Sequence, residues 1–167
     1  MGAGRVQLFH EHVLVKEAAT DVTTPWHQDA PYYSVQAEKT LSLWIPLDEI
    51  PRERTLEFIG GSHLTGAEYQ PQRFNGQALN EGDGLPVLPD YDSDRAAHNI
   101  MGWAVSPGDA VAFDFRVVHG APANDSPSTQ RRAFSLRLVG EGATFVRHQD
   151  KVTSPPFPGV SLQHGDA

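Results

Sequence analysis

Residues 40–47 (TLSLWIPL) alternate: Leu41, Leu43, Ile45 and Leu47 fall on one face of an extended chain, and Thr40, Ser42 and Trp44 on the other. A period of two marks a strand between two environments, because successive side chains of an extended backbone point to opposite sides. Shorter versions of the pattern recur. Residues 6–16 (VQLFHEHVLVK) read as a strand of mixed polarity, and residues 56–59 as a short one stopped by Gly60-Gly61. Residues 100–105 and 110–118 read as two more, separated by the turn Ser106-Pro107-Gly108-Asp109. Residues 132–139 close the series, with Phe134, Leu136 and Leu138 alternating against Arg131, Ala133, Ser135 and Arg137. The 15 Gly and 13 Pro are spread along the chain, which favours short elements joined by turns. The expectation is an all-β chain with few helices, built as a barrel, sandwich or jelly roll.

A length of 167 residues at 39% hydrophobic content suits a single domain, expected over residues 1–152. Within it, residues 65–99 are polar, rich in Gly, Pro and Asp, and longer than an ordinary connection, so they are expected to act as a lid-like loop. Residues 153–167 read as an extended or disordered tail. No cysteine is present, so any metal must be held by His or carboxylate groups. A net charge of −8 without a basic stretch argues against nucleic acid as a partner. No apolar run approaches the roughly 18–20 residues that span a bilayer, and the first residues lack the layout of a signal peptide. A cytoplasmic location is expected.

Trp26-His27-Gln28-Asp29 places His27 and Asp29 on one side of an extended segment, where a nitrogen and an oxygen can be presented together. Alone, such a pair reads more readily as an exposed polar edge. His119 follows Val111, Phe113, Phe115 and Val117 at the same parity, at the end of an apolar run that opens into the interior. Alone it reads as a buried structural histidine bonded to a carbonyl. Together, two His and one carboxylate are the facial triad that binds non-haem Fe(II) and leaves coordination positions open. The turn-rich residues 120–130 should fold the chain back, so that Arg131 begins a strand beside His119, on the face of Ser135 and Arg137. A guanidinium there can grip a carboxylate bidentately, whereas Arg132 should point to solvent.

Taken in order, WHQD, LSLWIPLDEI, LEFIGGSH, GDAVAFDFRVVHGAPANDS and RRAFSLRL resemble the landmarks of the phytanoyl-CoA dioxygenase-like (PhyH) family over nearly all of residues 6–140. The resemblance implies a double-stranded β-helix (a cupin-like jelly roll), with Fe(II) and 2-oxoglutarate as cofactors and O2 as oxidant. It implies His27, Asp29 and His119 as iron ligands, Arg131 as the co-substrate anchor, and Trp44 as an aromatic lining the 2-oxoglutarate pocket. It also places His12 near the co-substrate, with Lys16 on the same face as a further candidate. His63 in GGSH is expected to be structural, and His98, His148 and His164 to be exposed. Members of that family usually carry a helical region before the first strand, so this chain is expected to be a fragment, a truncated product, or a minimal form stabilised by self-association. Asp29 is kept where related halogenases lack a carboxylate, which favours hydroxylation of a small organic substrate. Two other readings compete: a non-catalytic cupin that binds a small molecule, and, more distantly, a zinc hydrolase.

Overall fold

A computed structural model describes residues 1–73, 77–80, 82, 84–148, 151–153 and 159–167. Ten strands follow in chain order: β1 (Val6–Lys16), β2 (Thr24–His27), β3 (Val35–Gln36), β4 (Thr40–Pro46), β5 (Glu57–Ile59), β6 (Ile100–Met101), β7 (Val111–Phe113), β8 (His119–Ala121), β9 (Arg131–Gly140) and β10 (Thr144–Phe145). Helical structure among the described residues is confined to short 3-10 turns. One sheet has the order β1-β9-β4-β7, a second β2-β8-β5-β6, and β3 pairs with β10. Strand pairing is antiparallel throughout both large sheets. Trp44, Phe113 and Ala133 from the first sheet pack with Phe58 and Ala121 from the second in one buried cluster. Two facing sheets wound from one chain make a double-stranded β-helix, as the family resemblance implies.

The alternation of β4 is present, but its burial runs opposite to its hydropathy. Ser42, Trp44 and Pro46 are buried, Leu41, Leu43 and Ile45 are half-buried, and Leu47 is exposed. The inner face is the less apolar one because it lines a cavity.

The β1–β9–β4 register arranges that inner face in rows. Lys16 lies opposite Arg131; His12, Ser135 and Trp44 form a second row; His10, Arg137 and Ser42 form a third. A register shift between Leu8 and His10 brings His10 and His12 into this alignment.

The run expected as one strand over residues 110–118 is broken. β7 ends at Phe113, the Val117 N–H bonds the Asp114 carbonyl at 3.0 Å, and the chain crosses to the other sheet before β8 begins at His119. Asp114 takes the Arg116 guanidinium through two 2.7 Å contacts, which fixes the crossing. The strand expected over residues 100–105 also stops early: only Ile100 and Met101 pair with β5, and Val105 instead bridges Ile50. From the 65–99 segment, Tyr91 is buried beside Ile59 and Val118 of the second sheet's side, with Tyr69 and Leu88 packed against them. The tail is held at its end, where Phe145 exchanges backbone hydrogen bonds with Gly165 and Asp166. Residues 154–158 of that tail lie outside the described residues.

Candidate metal centre

β2 and β8 are too short to show a period in sequence, yet their pairing builds the centre. His27 and His119 are cross-strand partners, with ring centroids 4.2 Å apart. Each ring is fixed in the same way. His27 Nδ1 donates to the Pro25 carbonyl at 2.8 Å, and His119 Nδ1 donates to the Val117 carbonyl at 3.0 Å. A carbonyl only accepts, so each Nδ1 carries a proton, which leaves each Nε2 as the nitrogen that can ligate a metal.

Both Nε2 atoms face Asp29. Its Oδ1 lies 3.9 Å from His27 Nε2 and 4.0 Å from His119 Nε2, and the three donor atoms lie within 4.8 Å of one another. Bonds of about 2.1 Å at right angles would bring such atoms to about 3 Å. The donors therefore need to draw together by about an ångström or more around an ion. Two neutral imidazoles and one carboxylate on one side of the ion fit iron, zinc or manganese and leave further positions open.

The other Asp29 oxygen is held from behind. Oδ2 accepts from Ser42 Oγ at 3.2 Å and lies 3.4 Å from Arg137 Nε. Arg137 in turn donates to Ser135 Oγ at 2.9 Å. Burial alone would raise the Asp29 pKa, but His119, Arg137, His27 and a Tyr33 hydrogen bond outweigh it and bring it down to about 2. Burial, reinforced by His27, lowers the His119 pKa to about 4, which keeps its imidazole neutral and able to ligate.

A cavity of about 600 Å³ opens in front of these groups. His12, Trp44, Arg131, Ser135 and Arg137 line it from the first sheet, and Trp26, His27 and His119 from the second. Arg131 is buried, and its guanidinium reaches the carbonyls of Arg54 at 2.5 Å and Pro122 at 3.4 Å. No carboxylate among the described residues pairs with it. Burial lowers its pKa to about 10, so it remains cationic at neutral pH. Opposite it, Lys16 Nζ donates to the carbonyls of Val22 and Pro122, both at 2.9 Å. Burial and then the Arg131 charge pull the Lys16 pKa down to about 7.

His12, Lys16, His27, Asp29, Trp44, His119 and Arg131 all border this cavity, but their placements differ. Trp44 is buried in the core cluster as well as lining the cavity. His12 stands opposite Ser135 and packs on the His10 ring at 4.7 Å, so Lys16 and not His12 is the register partner of Arg131. Arg132 is on the surface, paired with Asp48. Tyr32 and Tyr33 line the cavity. His98 and His148 are half-buried where exposure was expected: His98 packs on Tyr91, and His148 Nε2 contacts the Tyr33 carbonyl. His164 is exposed. Sequence reasoning missed the Asp29 partners Ser42 and Arg137, although their shared parity with Trp44 and Arg131 was visible.

No curated protein sequence matches the chain. Among solved structures, the non-heme alpha ketoglutarate dependent carbocyclase SnoK from nogalamycin biosynthesis superposes with a TM-score of 0.66 at 27% identity, over 96% of this chain and 58% of its own. EvdO2 from Micromonospora carbonacea var. aurantiaca, complexed with 2-oxoglutarate, gives 0.64 at 26% identity, over 87% of this chain and 56% of its own. The epimerase SnoN, in complex with Fe3+, alpha ketoglutarate and nogalamycin RO, gives 0.69 at 24% identity over 96% and 61%, a likeness of fold. The chain therefore spans about three fifths of the length of these proteins. The sequence profile of the phytanoyl-CoA dioxygenase (PhyH) family matches residues 2–133, and the chain belongs to that family.

Proposed function

We propose that this chain forms the core of an Fe(II)- and 2-oxoglutarate-dependent oxygenase that hydroxylates a small organic substrate, with His27, Asp29 and His119 as the iron ligands. The observation that carries this reading is the convergence of those three donors in a cavity that also holds a buried guanidinium without a carboxylate partner among the described residues. A metal alone does not call for Arg131; a chelating dicarboxylate does. Iron bound at the triad would supply the oxidising chemistry, coupling decarboxylation of 2-oxoglutarate to succinate and CO2 with transfer of one oxygen atom of O2 to a C–H bond.

The residues of the chain bind and orient. Arg131 receives the distal carboxylate of the co-substrate, and Lys16 holds the Pro122 carbonyl beside it. Arg137 offsets the charge of Asp29, so that a dianion is not repelled by it. Val13, Leu14, Val15, Val22 and Trp26 give the cavity an apolar lining that suits an uncharged substrate face. Among the described residues no cluster of unpaired cations is at hand for the phosphates of a CoA thioester, and none is proposed as substrate. Of the segment expected to act as a lid, Gln72 stands at the cavity wall, and residues 74–76, 81 and 83 lie outside the described residues.

Addition of Fe(II) and 2-oxoglutarate under anaerobic conditions tests this directly. A visible metal-to-ligand charge-transfer band is expected. In Arg131→Ala the concentration of 2-oxoglutarate needed to develop it should rise about 100-fold, equivalent to about 2.7 kcal/mol. Absence of the band, or an unchanged titration in the variant, contradicts the proposal. A band without succinate formation in any substrate screen favours the binding-only cupin.

A further inference from the structure

Gln28 separates the two ligands of the His27–Asp29 pair, yet it is only 2% exposed. Alternation along the chain turns it away from the metal centre. Its amide is engaged on three backbone groups instead. Nε2 donates to the Ala67 carbonyl at 2.9 Å and to the Arg116 carbonyl at 2.8 Å, and Oε1 accepts from the Tyr69 N–H at 3.0 Å. Ala67 and Tyr69 belong to the long 65–99 segment, whereas Arg116 lies on the crossing that leads to His119.

The residues on either side of the pair grip the same segment. Tyr32 donates its hydroxyl to the Gln72 carbonyl at 2.6 Å and accepts from the Gln72 N–H at 2.9 Å. The Trp26 indole N–H donates to Asp92 at 3.0 Å. From behind, the N–H groups of Asp29 and Ala30 both bond the Phe115 carbonyl, at 2.9 and 3.0 Å. The turn that carries two ligands is thereby spliced to the approach of the third ligand and to a strap, residues 67–72, at the cavity edge. Only a carboxamide meets all three demands on Gln28. A carboxylate would set unprotonated oxygen against two carbonyls, and an apolar side chain would leave buried backbone groups without partners.

We propose that Gln28 is a positioning residue through which strap and metal centre share one equilibrium. A divalent ion that draws His27, Asp29 and His119 together tightens the strap over the cavity, and by reciprocity the closed strap raises metal affinity. The inference rests on the metal-centre reading above.

The test uses Mn(II) as probe and tryptic cleavage after Arg73, an exposed residue directly beyond the strap. Mn(II) binding is followed by electron paramagnetic resonance, and cleavage at that bond by mass spectrometry. In the wild-type chain, saturating Mn(II) should slow cleavage roughly 10-fold. Gln28→Ala should lose most of that protection and weaken Mn(II) binding roughly 10-fold. Tyr32→Phe, which removes one hydroxyl and keeps the ring, should lose part of the protection while folding normally. A Gln28 that merely stabilises the fold would lower Tm equally with and without metal and leave the protection ratio at its wild-type value. That result overturns the coupling, as does wild-type cleavage indifferent to bound Mn(II). Failure to bind Mn(II) at all sinks the metal centre and the coupling together.

Discussion

His27 and His119 face each other across the β2–β8 pair, and each ring is oriented by the carbonyl two residues before it. The two imidazoles therefore arrive as a matched pair whose separation is set by the spacing of two backbones and not by side-chain freedom. Anything that spreads those strands spreads the donors.

Gly120 is where they can be spread. A Cβ added there would lie 3.0 Å from the Thr24 carbonyl oxygen and 3.3 Å from the Trp26 ring. The first contact is with backbone, which cannot rotate away. Gly120→Ala should keep the fold and lower Mn(II) or Fe(II) affinity by roughly 10- to 100-fold, the range typical when ligand orientation is lost. Isothermal titration checks it, and unchanged affinity would show that β2 yields without moving His27.

Ser42 should tune the metal without touching it. Its hydroxyl bonds the Asp29 oxygen that faces away from the imidazoles. Ser42→Ala removes one hydrogen bond from a buried carboxylate and should weaken metal binding about 10-fold, with a stability loss of about 1–3 kcal/mol. Parallel metal titration and urea unfolding separate the two effects.

Acid should destabilise the metal-free chain over a defined window. The pKa values of His10 and His119 are both lowered to about 4, by burial first and then by Arg137 for His10 and by His27 for His119. Their ordinary value is 6.5, so between pH 6.5 and 4 the unfolded chain takes up protons that the folded chain refuses. The stability from burying neutral rings is intact above that window and falls as pH drops through it, by about 1.4 kcal/mol per pH unit for each ring. Asp29, with its pKa at about 2, loses its own contribution only at lower pH. Urea midpoints measured from pH 7 to 4.5 should decline steadily, and His10→Asn should make the slope shallower. A flat profile would contradict the burial of these rings in neutral form.

Trp44 joins two roles that stability measurements can separate. It belongs to the buried cluster and also lines the cavity. Trp44→Ala should cost about 3–5 kcal/mol through loss of packing, whereas Trp44→Phe should cost far less. Thermal unfolding of both variants, set beside their 2-oxoglutarate titrations, shows whether the indole contributes beyond volume.

Long strands announced themselves in the sequence. β1 matches its expected bounds, and the alternation of β4 and β9 places Trp44, Arg131, Ser135 and Arg137 on one face, where the structure has them. β2 and β8 did not, because three or four residues such as Thr24–His27 or His119–Ala121 contain too little alternation to register. The break at Asp114 was hidden for a different reason: the apolar parity of Val111, Phe113, Phe115 and Val117 continues through a change of sheet, since all four still meet the interior. The residue types of the candidate centre, two His and one Asp, were legible from chemistry. The hold of Ser42 and Arg137 on Asp29, and that of Gln28 on the strap, depends on contacts between distant segments that no local pattern encodes.

The rows of β9 also act as a ruler with coarse graduations. Arg131 and Arg137 share a face because they are an even number of residues apart, and an anchor on that face can be relocated along the strand only in strides of two residues, about 6.6 Å. One methylene more or less in a dicarboxylate is far shorter than such a stride. If Arg131 is the anchor proposed above, moving it along β9 would overshoot the next homologous 2-oxo diacid, and a longer or shorter cation at the same position would be the finer adjustment.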